Sequence, residues 1–77
     1  MNLSSMLEDT MTTLRVKTSL LREVGFLGIT MGVATHHGVV YLSGKIASYG
    51  DIAEAMAIAR GVAGVRSVQN GCQLRHA

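Results

Sequence analysis

The stretch "THHGVVYLSGKIAS" (Thr35–Ser48) decides the fold. Beyond its glycine, Val40, Leu42 and Ile46 fall on one side of an extended chain, with Tyr41, Ser43 and Lys45 on the other. That alternation is the mark of a half-buried strand. Upstream, Ile29, Met31 and Val33 alternate with Thr30, Gly32 and Ala34, which predicts a second strand beginning at Ile29. Two such runs joined by a short polar link containing glycine read as an antiparallel hairpin.

Downstream the period changes. Ser48 and Asp51 have the spacing of a capping box, in which side chains satisfy the free N–H groups of a helix start. A helix is predicted to about Val62, with Ile52, Ala55, Met56 and Ala59 as its apolar stripe. Asp51 at its start and Arg60 near its end both suit the helix dipole. "GVAGV" (Gly61–Val65) breaks this helix, and Val68, Cys72 and Leu74 alternate along a last strand. At the front, Ser5 and Glu8 repeat the capping-box spacing and Gly25 is placed to stop a helix. That predicts a first helix from about Met6 to Val24, weakened by threonines at 10, 12, 13 and 18. The order is αββαβ. It predicts an α+β domain: a three-stranded mixed sheet with two helices packed on one face and the other, polar face left wet.

Size and charge narrow the function. Seventy-seven residues make one domain. The net charge of +2 comes from seven basic residues with no run among them, a weak bias toward anionic partners and no sign of DNA binding. Phe26, Tyr41 and Tyr49 are the whole aromatic supply, too little for stacking along single-stranded nucleic acid. A single cysteine allows no internal disulfide. No apolar run is long enough to cross a membrane. "MNLSSMLEDT" lacks the basic start and apolar core of a secretory signal, which leaves either a cytoplasmic protein or one whose signal was trimmed.

The motifs then become specific. Leu42-Ser43-Gly44 closes a strand, an alanine-rich helix follows, and Gly64-Val65-Arg66-Ser67-Val68 leads into the last strand. Upstream stand Asp9, Val16-Lys17 and Leu20. In this order and spacing the chain resembles the BON domain, a module of bacterial osmotically inducible, nodulation-related and outer-membrane proteins. The resemblance runs from about Asp9 to Leu74, the core of a single domain spanning residues 1–77. Thr12 and Cys72 depart from it, standing where the family usually has an aliphatic residue and often leucine. In physical terms Gly44 is expected to end its strand, Gly64 to reverse the chain, and Val65 and Val68 to pin the last strand. Leu42, Ser43, Gly44, Gly64, Val65 and Val68 are therefore residues of the fold, not of a reaction.

Several candidate sites fall to bland readings. His36 and His37 are adjacent, so in extended chain they point to opposite faces and converge poorly on one ion. With only His76 besides, the pair reads as a solvated hairpin tip, and no metal is expected. Gly61–Gly64 imitates the GXXG clamp of KH domains, but that clamp joins two helices and this one leads to a strand. "LSGK" lacks the spacing of a phosphate loop. Cys72 and Asn70 share the inward register of the last strand: the first reads as a small buried hydrophobe, the second as an amide bonded to backbone.

The first helix is the informative one. Thr12, Val16 and Leu20 share one face; Leu7, Met11, Leu14 and Leu21 fall on the opposite side. Arg15 and Arg22 lie along one border of that second stripe, Lys17 along the other. An apolar stripe with basic flanks suits an anionic membrane surface or a partner subunit. Alternatively the helix rotates and the second stripe is simply core.

The resemblance implies a module attaching to phospholipid surfaces or to envelope proteins, in the periplasm or cell envelope. Arg15, Lys17 and Arg22 would then attract anionic head groups while Leu14 and Leu21 insert. Homo-oligomerisation through the same stripe is the second reading, and potassium binding, which also occurs among BON-containing proteins, the third. No enzyme is expected: the chain has no carboxylate pair, nucleophile–base set or ligand cluster, and little room for a cavity. No cofactor is implied.

Overall fold

The computed structural model describes residues 3–75. A long helix, α1 (Leu3–Val24), leads into a single-turn helix, α2 (Phe26–Thr30), and then into the hairpin of β1 (Gly32–His36) and β2 (Val39–Ile46). Helix α3 (Tyr49–Arg60) and strand β3 (Ser67–Leu74) complete the chain. β2 is central, antiparallel to β1 and parallel to β3. The α+β class and the mixed three-stranded sheet are those expected from the sequence.

The core lies between the sheet and the helices. Val16 and Leu20 of α1 and Ile52, Ala55 and Ala59 of α3 bury against Met31, Val40, Leu42 and Ile46. Val65, Val68, Cys72 and Leu74 are partly buried along its margin. The alternation read along β2 is the one observed, with Val40, Leu42 and Ile46 inward and Tyr41, Ser43 and Lys45 outward. Ser48 caps α3, its hydroxyl accepting the Asp51 N–H at 3.1 Å.

Four expectations need correction. α1 begins at Leu3, so Ser5 lies within the helix and its spacing to Glu8 is not a helix start. Ile29 and Thr30 belong to α2, and β1 begins only at Gly32. Gly28 explains the extra turn. A Cβ there would stand 2.7 Å from the Leu21 nitrogen, so α2 nests against the backbone of α1 as only glycine permits. Gly44 lies inside β2 rather than at its end. Its φ of 126° and the Thr30 carbonyl, 3.1 Å from where a Cβ would sit, mark a close approach of α2 to the strand. Asn70, finally, is exposed on β3, where its side chain accepts the Cys72 N–H at 2.8 Å. β3 is an edge strand, and this bond occupies a donor on its open side.

Gly64 turns the chain between α3 and β3 as anticipated. Its φ is 94°, and a Cβ would meet the Thr12 hydroxyl at 2.7 Å. The buried threonine and the glycine therefore fit each other across the α1–loop contact.

Candidate functional site

Helix periodicity puts two apolar stripes on α1, and packing uses only one. Thr12, Val16 and Leu20 are buried. On the far side Leu7, Met11, Leu14 and Leu21 are 58%, 51%, 61% and 41% exposed. The second stripe is thus not core, and the alternative in which the helix rotates to bury it does not hold. Leu3 and Met6 are also exposed at the start of the helix. Among the described residues, large apolar exposure elsewhere is dispersed, at Ile29, Tyr41 and Tyr49.

The flanking cations behave differently from one another. Arg15 and Arg22 are exposed on the side of α1 that faces α3. Both line an open groove of about 780 Å³ between the two helices, together with Leu14, Thr18, Ile58 and Val62. The groove is a broad open trough rather than an enclosed pocket. Lys17, on the opposite border, is half-buried and its ammonium donates to the Met31 carbonyl. Its charge is anchored at the start of the hairpin and does not reach outward with the arginines.

The histidines sit at the hairpin tip, both exposed. The turn changes their geometry from that of an extended chain: His37 has a φ of 49°, and the two rings meet edge-on with centroids 4.2 Å apart. No group of three or more His, Cys, Asp or Glu side chains that could hold a metal ion occurs among the described residues, and His76 lies outside them. Sequence reasoning missed what holds this tip. Asp9 on α1 accepts the His37 N–H at 2.8 Å and the Gly38 N–H at 3.1 Å. The bond from the His37 N–H, above all, holds the Asp9 carboxyl below its ordinary value, aided by the Gly38 N–H and by the two imidazoles, against partial desolvation. Cys72 is half-buried beside the core, and burial pushes its thiol up, which suits a packing residue better than a nucleophile.

No helix among the described residues is long and apolar enough to cross a membrane. The architecture is a small open-faced α+β sandwich, with a polar sheet face and a helical layer whose longer helix carries an uncovered apolar ridge. The family model for the BON domain matches residues 8–75, and the chain belongs to the BON domain family. BON domains are non-catalytic modules that bind phospholipids and proteins, and proteins carrying them are often periplasmic or associated with the envelope. A comparison with curated proteins gives no match.

Proposed function

We propose that this domain docks, without catalysing a reaction, on anionic phospholipid surfaces of the bacterial cell envelope. The observation that carries the reading is the exposed ridge of Leu7, Met11, Leu14 and Leu21 with Arg15 and Arg22 along one flank. An amphipathic helix lies in the interface when its apolar side reaches the acyl boundary and its cations remain among head groups. Leu14 and Leu21 each precede an arginine by one residue, Arg15 and Arg22, so insertion of the two leucines brings both guanidiniums to phosphate level. Each is worth about 1 kcal/mol near an anionic surface. Lys17, held by the Met31 carbonyl, adds charge at longer range but no direct contact.

Attachment of this kind is weak, reversible and sensitive to salt. Vesicle co-sedimentation tests it. The domain is expected to pellet with vesicles rich in phosphatidylglycerol at low salt, to be released as salt rises, and to stay in solution with phosphatidylcholine alone. Equal recovery on both vesicles at every salt concentration overturns the electrostatic part of the reading.

A further inference from the structure

The exposed side of α1 is more regular than a lipid surface requires. Leu7, Leu14 and Leu21 stand seven residues apart, and Met11 and Thr18 follow the first two of them by four. All five are exposed. Alternating steps of four and three are the period of a helix seam that packs against another helix. A bilayer, having no ridges to interlock with, asks only that apolar residues share a side. We propose that a second copy of this chain occupies the face, with the two α1 helices paired antiparallel in a two-fold dimer.

Charge along the borders chooses direction and register. One border of the seam carries Glu8, Arg15 and Arg22, the other Thr10 and Lys17. In a parallel pair each border meets the opposite border of the partner, which sets Glu8 against the partner's Leu3 and Arg15 against the partner's Thr10, so no opposite charges are paired. In an antiparallel pair like borders meet. Setting Leu14 beside the partner's Met11, and Leu7 beside the partner's Thr18, overlaps the helices from Ser4 to Leu21. This register brings Glu8 against the partner's Arg15, and two-fold symmetry repeats the pair. Thr10 then faces the partner's Lys17, and no like charges are opposed. Glu8 and Arg15 are roughly 10 Å apart along their own helix, too far to satisfy each other. They are complementary only between copies.

Pairing would cover the leucines that the membrane reading needs. The dimer is then a stored form and the monomer the docking form, a competition that rests on the membrane reading, whereas the dimer itself does not. Polar Ser4 and Thr18 in the seam make the association weak, which suits such an exchange.

Sedimentation velocity from roughly 10 μM to 1 mM is expected to show a monomer–dimer equilibrium. Glu8→Arg or Arg15→Glu alone should raise the dissociation constant about tenfold by opposing like charges twice. The double exchange should return it to within about threefold of the original, because the pairs re-form between copies. Both positions are exposed, so the fold is not at stake. A chain that stays monomeric throughout, or a double variant no tighter than the singles, overturns the proposal. Anionic vesicles should draw the dimer down. Vesicle binding by a chain that never dimerises removes the dimer and leaves the docking reading intact. A parent chain whose dimer the charge exchange confirms, but which itself ignores anionic vesicles, keeps the dimer and ends the docking reading.

Discussion

The two long helices lie on the same side of one sheet, yet α1 and α3 spend their apolar residues differently. α3 turns Ile52, Ala55 and Ala59 inward and shows solvent Ala53, Glu54, Ala57 and Arg60. α1 buries only Val16 and Leu20 with Thr12, and leaves six large apolar side chains outside, four of them along the ridge of Leu7, Met11, Leu14 and Leu21. α3 has the composition that folding alone demands. α1 carries a surplus, and a surplus of apolar area on one contiguous face points to an occupant.

The contrast is broken most directly inside α1. Leu20→Ala, at a fully buried site, should cost about 2–5 kcal/mol in urea unfolding, whereas Leu14→Ala should change stability by under about 0.5 kcal/mol. Equal costs would mean that the outer face packs against something within the chain. Next in size is the effect on docking. Leu14→Glu should weaken vesicle association by about tenfold or more, since a leucine's transfer is lost and a repelled charge gained. Ala53→Glu on α3, exposed and outside the lining of the groove that holds Arg15 and Arg22, should leave association nearly unchanged, and a similar loss from both would move the contact off the ridge. The start of α3 gives a smaller effect. Ser48→Ala removes the acceptor of the Asp51 N–H and should cost about 1 kcal/mol, read from the same unfolding curves.

The smallest effect is one of pH. Asp9 has its folded value lowered from 3.8, so its contribution is complete above that ordinary value and fades as the pH falls through the lower folded one. An Asp9→Ala variant should therefore lose the acid limb of the stability profile that this carboxylate supplies. Unfolding curves with the same slope in acid for variant and parent would show that the hairpin does not depend on it.

How much of this was legible follows from the range of the forces involved. β2, the stripe of α3 and the two stripes of α1 are written in local periodicity, and the structure repeats them. α2 was not legible. Ile29 and Met31 alternate like a strand, and only the nesting of Gly28 against α1 makes that turn helical. The start of α1 misled because the spacing of Ser5 and Glu8 is also common within helices that begin earlier. In the site, the outer ridge could be read from a helical wheel, but the withdrawal of Lys17 to the Met31 carbonyl could not. The trough beside Arg15 and Arg22 depends on how far α1 stands from α3, which no local pattern encodes. The same is true of Asp9, whose partners lie 28 and 29 residues away.

The amide of Asn70 has a bearing on life at crowded density. Molecules gathered on one surface present their sheet margins to one another, and a bare margin invites strand-by-strand growth into aggregates. By filling the Cys72 N–H from its own side chain, Asn70 removes one rung on which a neighbour's strand could climb.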